Sequence, residues 1–378
     1  MKSFFQFLGR AYKYFRGTKR VWRKPPRADL LIIDRGTASP LDEMFAHHNP
    51  HIMDIRGESV NMLALLRAVP KIHLGAVAYL EAYIDFVNPK LILSRTDNNP
   101  TLWQLKRRPN TTYKVALIQN GWRIPDSSGG ETHMIGARGF ENLDIYFSMG
   151  EATKSSFNKN LNVKYVDVGS LSLNFYPKPT DQYLGAQVVS LVSIFRPSRS
   201  DEEQGCKDLE SFARATRNRN LKINIIGSQV SAERAKLERS FYDKAFANQP
   251  FELLVRSSTR SSYEKLSNSS IFIVDQSTLG YEALSIGLRV GFVSFQPPFR
   301  LTDRFGKPLE FGEKGPFWTN DPSEEEIGRI LDYLLTVSDE QWERDSGWIR
   351  DQLMVHDYGN TKIRAYVEGV LTGSLKSN

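Results

Sequence analysis

A chain of 378 residues is long for one hydrophobic core, because cores tend to divide beyond about 250–300 residues, so two domains are expected. Hydrophobic residues at 40% exclude a disordered chain, and the single cysteine, Cys206, excludes an intrachain disulfide and a thiolate zinc site. The net charge is +7, yet residues 1–28 carry nine Lys and Arg and no acid, leaving the rest at −2, too neutral a body for a nucleic-acid partner.

Taken in chain order, Phe4, Leu8, Ala11 and Phe15 share one face of a helix with Tyr12 beside them, and Lys2, Arg10, Lys13 and Arg16 lie opposite. Residues 1–27 therefore read as a basic amphipathic segment whose residues 1–24 bind an anionic membrane surface, with Trp22 at the same interface. No apolar run reaches the roughly 20 residues of a span, and basic residues interrupt any secretory leader, so the chain is expected to stay inside the cell, peripheral to the membrane.

After Pro25-Pro26, residues 28–176 alternate short β-rich runs with helical stretches. Strands are expected at Leu30–Asp34, His51–Arg56, Lys90–Ser94, Lys114–Gln119, Asp144–Ser148 and Val163–Val168, with helices at Met62–Val69, Leu74–Val87 and Glu151–Lys159. That alternation implies βαβ units and a parallel sheet. The prolines of Tyr176–Asp181 mark a hinge, and residues 177–350 repeat the pattern. Its strands are Val188–Phe195, Lys222–Ile226, Phe251–Val255, Ile271–Val274 and Val290–Phe295, and its helices include Glu202–Thr216, Ala232–Ala247 and Leu279–Ile286. Helices at Ser323–Thr336, Asp339–Met354 and Asn360–Thr372 close the chain, the last within a terminal segment of residues 351–378. The fold class is α/β, two Rossmann-like domains facing a cleft, with ligands beyond the carboxyl ends of the strands.

The stretch Ile271–Val290 carries the most chemistry. A buried strand ends at Asp275, Ser277 and Thr278 offer an N-cap, and the helix holding Glu282 stops at Gly287. Free N–H groups and hydroxyls at a helix start suit phosphate. The order Ser277-Thr278-Leu279-Gly280-Tyr281-Glu282-Ala283-Leu284 resembles the donor-binding strand–loop–helix of GT-B glycosyltransferases, and is closer still to a group of bacterial surface-carbohydrate and O-antigen biosynthesis proteins. Ser94–Asn99 and Ile118–Gly121 add to that resemblance. It implies that Asp275, Ser277, Thr278, Leu279 and Gly280 bind the donor, the small residues among them cradling its diphosphate, that Glu282 holds ribose hydroxyls, and that the C-terminal helix of residues 351–378 crosses back to the first domain. Many retaining members place another Glu about seven residues before the Glu282 position, where this chain has Asp275 and Gln276, so the anomeric outcome stays open.

Arg196 follows a strand end and could fork onto the donor phosphates, with Arg199 an equal candidate for a solvated loop residue, while Gly227 and Ser228 end the next strand at the nucleotide pocket. In the first domain Asn98, Asn99, Asn120, Gly121, Trp122 and Arg123 are candidates for the acceptor, Trp122 by stacking on a sugar ring. Asp97 is the leading general base, with Glu131 and His133 of the long loop Pro125–Gly139 as alternatives. His47, His48 and His51 lack carboxylates at helical spacing, so no metal is expected, and no cofactor either, a nucleotide-sugar being a substrate. The expected activity is sugar transfer from a nucleotide-sugar donor to a lipid-linked or growing surface glycan of O-antigen or capsule type, on the inner face of the bacterial plasma membrane. A CDP-polyol phosphotransferase and a non-catalytic assembly factor are the alternatives.

Overall fold

A computed structural model describes residues 17–105, 111–122, 142–156, 162–178, 187–195, 202–247, 249–258, 260–275, 277–295 and 312–374. The expected amphipathic helix over residues 2–16 lies outside them. The described chain opens on β1 (Lys19–Val21), which pairs in parallel with β4 (Ser59–Asn61). Asn61 also donates from Nδ2 to the Arg23 carbonyl at 2.8 Å, and Thr18 is buried. The first domain thus begins before the expected boundary at residue 28, and residues 18–23 belong to its fold.

Six parallel strands make the first sheet, in the order β3-β2-β5-β6-β7-β8. They are β2 (Leu30–Ile33), β3 (His51–Met53), β5 (Leu91–Ser94), β6 (Lys114–Ile118), β7 (Asn142–Ser148) and β8 (Asn162–Asp167). Every residue of β2 and β5 is buried, as a parallel sheet covered on both faces requires. Helices α1 (Met62–Ala68) and α2 (Ala76–Val87) pack together on one side through Ala64, Ala68, Ala78 and Ala82, whose small side chains allow close approach. Helix α3 (Glu151–Ser156) follows β7.

The second sheet runs β11-β10-β9-β12-β13-β15-β14. Its strands are β9 (Val188–Val192), β10 (Lys222–Ile226), β11 (Phe251–Leu254), β12 (Ile271–Val274), β13 (Val290–Val293), β14 (Lys314–Gly315) and β15 (Trp318–Thr319). All neighbours are parallel except β14 and β15. Strand order reverses between β9 and β12, the switch point at which doubly wound sheets bind ligands. The helices are α4 (Glu202–Arg217), α5 (Ala232–Phe246), α6 (Thr278–Ser285), α7 (Glu324–Thr336) and α8 (Asp339–Leu353). Serine hydroxyls cap α5, α6, α7 and α8, and Glu324, Glu325 and Glu326 complement the dipole of α7.

The chain then returns. Ile363, Val367 and Leu371 of α9 (Thr361–Thr372) form an i, i+4, i+8 stripe buried against Leu30, Ile32, Leu91 and Leu93 of the first sheet, each large side chain worth about 1.5–3 kcal/mol. At the crossing, Gly169 has φ +74 and a Cβ there would stand 1.9 Å from the Val355 carbonyl oxygen, so only glycine lets the two segments meet. Met149 accepts from the Val355 N–H at 2.9 Å and Asn174 donates to Asn360 at 2.9 Å, fastening the same junction.

Candidate functional site

The strand ends of the second domain and the loops of the first enclose a cavity of about 500 Å³, a size suited to a small-molecule ligand. Val192–Phe195 after β9, Ile226–Gln229 after β10 and Asp275 after β12 form one wall, so the cavity occupies the switch point. Gln119, Asn120, Ser170 and Arg95 come from the first domain.

At the start of α6, Ser277 is the N-cap and accepts from the Leu279 N–H at 3.3 Å. Thr278 lines the cavity too, and its Oγ1 accepts from the Trp122 N–H at 3.0 Å, joining the two domains. A threonine hydroxyl that accepts one bond can also donate one, for example to an anion. Leu279 and Asp275 also line the cavity, both buried. Gly280 does not reach it: a Cβ at that position would stand 2.5 Å from Val274 Cγ1, so this glycine serves the packing of α6 on β12. That corrects its expected diphosphate role.

Glu282 lines the cavity one turn into α6 and is 5% exposed. Its Oε1 accepts from Ser170 Oγ of the first domain and from Tyr263 OH at 2.8 Å. Burial raises its pKa above the ordinary carboxylate value, against the opposing hydrogen bonds of Ser170 and Tyr263 and the charges of Arg95 and Arg256. The same burial, with the Glu282 charge beside it, holds the Tyr263 phenol well above its usual range.

Three arginines, Arg95, Arg234 and Arg256, line the cavity. Arg95 donates to the Ser39 carbonyl at 2.8 Å and to Ser172 Oγ at 3.3 Å, while its buried Nε has no hydrogen-bond partner among the described residues. A buried cationic donor left in that state favours an anion in the cavity. The Ser94–Asn99 motif contains Arg95, but the expectation fixed on its carboxylate and amides instead. Arg196, Arg199 and Arg123 lie outside the described residues, as do Glu131 and His133.

Gly227 and Ser228 are at the cavity, held by a residue that the sequence reading passed over. Glu238 of α5 is fully buried; its Oε1 accepts from Ser193 Oγ at 2.5 Å, Ser228 N at 2.8 Å and Ser228 Oγ at 2.9 Å, and its Oε2 from Gln229 N at 3.4 Å. One carboxylate thus fixes the loops after both β9 and β10. Its signal was a glutamate on the same helical stripe as Ala235, Tyr242 and Ala245, where an apolar residue would be ordinary.

Asp97 is corrected. Its side chain is fully buried, Tyr146 OH donates to Oδ2 at 2.8 Å, the Asn120 N–H to Oδ1 at 3.2 Å, and Trp103 Nε1 to its carbonyl at 2.6 Å. A carboxylate so enclosed positions the loop after β6 and is closed to solvent in this structure. Asn98 and Asn99 do not line the cavity; Asn99 accepts from the Thr101 N–H at 3.0 Å, which is turn chemistry. Asn120 does line it. Gly121 passes close to Thr278, where a Cβ would be 3.3 Å from Oγ1, and one face of Trp122 stacks on Tyr281 at 4.8 Å.

The comparisons agree with this architecture. A family model described as "putative O-antigen biosynthesis protein" matches residues 208–370, from within α4 to most of the returning helix. The UDP-GlcNAc 2-epimerase of Methanocaldococcus jannaschii, solved with UDP-GlcNAc and UDP, superimposes with a TM-score of 0.53 at 12% identity, covering 90% of this chain and 99% of that one. For a glycosyltransferase from Rickettsia africae the figures are 0.51, 10%, 91% and 99%. The wall teichoic acid polymerase TagF gives 0.53, 10%, 94% and 91%. The fold is of the GT-B type. No curated protein sequence matches the chain.

Proposed function

We propose that this chain transfers a sugar from a nucleotide-activated donor to a lipid-linked or growing surface polysaccharide of O-antigen or capsule type, as a peripheral protein of the inner face of the bacterial plasma membrane. The observation that carries the reading is the composition of the switch-point cavity. Arginine donors and a capped helix start suit a diphosphate, and the buried carboxylate of Glu282 suits the hydroxyls of a ribose. The family model and the UDP-sugar-bound neighbour support that choice of ligand. Transfer to a hydroxyl requires a base, and with Asp97 enclosed the proposal rests on Glu131 or His133. Acceptor contacts are assigned to Asn120, which lines the cavity, and to Arg123, three residues on in the sequence.

The test is direct. Purified full-length chain is screened by thermal shift against nucleotide-sugars and CDP-polyols, where a ligand at 100 times its dissociation constant stabilises by about 2.7 kcal/mol. The stabilising donor is then supplied with separate labels on the sugar and on the β-phosphorus, with and without a lipid-linked glycan. Movement of the sugar label alone into the glycan is expected. Movement of phosphorus would assign polyol phosphate transfer, interconversion of the sugar without an acceptor would assign an epimerase, and binding without turnover would leave an assembly factor.

A further inference from the structure

On the first domain, away from the cavity, three side chains separated by some 320 residues converge. His47 and His48 end a short 3-10 turn, Ala46–His48, closed by Asn49 in the left-handed region at φ 48. That turn sets the two imidazoles side by side, ring centroids 4.1 Å apart and tilted by 41°, with both Nε2 atoms toward α9. Glu368, on α9, meets them: its Oε1 is 2.9 Å from His47 Nε2 and 3.0 Å from His48 Nε2, and its Oε2 is 3.0 Å from His48 Nε2. His51, expected to be considered with this pair, instead bonds Tyr83 OH at 2.8 Å.

We propose that His47, His48 and Glu368 form a binding site for a divalent first-row transition cation of the class that prefers imidazole, such as Zn²⁺. The ligating atoms lie within 4.8 Å of one another. A tetrahedral ion with bonds of about 2.0–2.1 Å separates its ligand atoms by about 3.3 Å, so enclosing one requires each imidazole–carboxylate pair to spread by only a few tenths of an ångström. Two neutral imidazoles and one carboxylate leave a fourth position for water, the donor set to which zinc is suited. The side chains of His47, His48 and Glu368 are 59%, 21% and 41% exposed, so an ion reaches them from solvent. Arg364, one turn earlier on α9, is engaged by the carbonyls of Gly359 and Met44 and does not occupy the site. The carboxylate comes from the helix that returns from the second domain, which is why residues near the histidines gave no sign of it. None of the three residues lines the cavity, so the bound ion acts as a clasp fastening α9 to the first domain.

The experiment uses the full chain without an affinity tag, stripped with chelator and titrated with ZnCl₂ in a calorimeter near neutral pH. One ion per chain is expected, with a rise in Tm that chelator reverses. His48→Ala and Glu368→Gln should each weaken binding at least about 10-fold, while His51→Ala leaves it unchanged. His47→Gln replaces either variant whose circular dichroism shows misfolding. No binding up to roughly 100 µM Zn²⁺, or equal affinity in all the folded variants, would overturn the site.

Discussion

Burial makes the Glu282 proton leave less readily than that of an ordinary glutamate, against the hydroxyl bonds of Ser170 and Tyr263 and the charges of Arg95 and Arg256, which act the other way. On the proposed role a ribose diol bonds the ionised form, so donor affinity should fall as pH drops through a pKa lying above the usual carboxylate value, and binding near that pH should release a proton. Calorimetry across the acid range checks this, with Glu282→Gln expected to flatten the profile. At neutral pH Glu282→Ala should weaken nucleotide binding about 10- to 100-fold, the loss of one charged hydrogen bond; unchanged affinity in a folded variant removes the donor-site assignment. Asp97 behaves oppositely. Its carboxylate binds Tyr146 and the Asn120 backbone inside the first domain, so Asp97→Asn should lower unfolding free energy by about 1.5–3 kcal/mol, measured in urea, because an amide presents one acceptor where two donors await. Full stability with abolished turnover would restore Asp97 as a base.

At the level of elements, α6 is set against β12 by the absence of a side chain at Gly280. Gly280→Ala puts a methyl 2.5 Å from Val274 Cγ1, and relieving that clash must lift the helix whose first turn forms the cavity wall. A loss of about 1–3 kcal/mol in urea unfolding is expected, together with weaker nucleotide binding although the residue touches no ligand. An unchanged Tm would show that the strand yields instead. This element was legible in advance: Ile271–Val274 is a fully buried apolar run, and Ser277 stands where an N-cap must. Strands such as Lys222–Ile226 and helices such as Glu202–Arg217 declared themselves equally by period and composition. What was not legible depended on partners distant in the chain. Lys19–Val21 has no room for a period of two and reads as part of a basic tail, and only Ser59–Asn61 makes it a strand. The Ser94–Asn99 motif marked the right loop, but which of its side chains turns inward to structure and which toward the cavity follows from Tyr146 and Asn120, not from spacing.

For the whole molecule, the pairing of β1 with β4 builds one part of the basic N-terminal region into the fold, and the proposed membrane attachment then falls to the part before it as a separate duty. Lys19, Arg20, Arg23, Lys24 and Arg27 are exposed on the folded body, with Trp22 at 63% exposure among them. Lys2, Arg10, Lys13 and Arg16 precede that body, on the segment with the Phe4, Leu8 and Phe15 stripe. Each basic residue near an anionic surface contributes about 1 kcal/mol, so removing residues 1–16 should weaken binding to phosphatidylserine vesicles by roughly 10³-fold or more at low salt. The body itself should lose nothing, and its Tm should stay constant. Removing residues 1–24 is a different operation. It deletes β1, the buried Thr18 and the bond from Asn61 to Arg23, and it leaves the N-terminal cap of α1 with one partner fewer. That truncation should lower Tm and open Ser59–Ala68 to limited proteolysis. Vesicle co-sedimentation and thermal unfolding of the two truncations, measured side by side, separate the duties. Equal vesicle binding by the full chain and the form lacking residues 1–16 would move membrane attachment onto the folded body, where Trp22 and its basic neighbours would have to carry it alone.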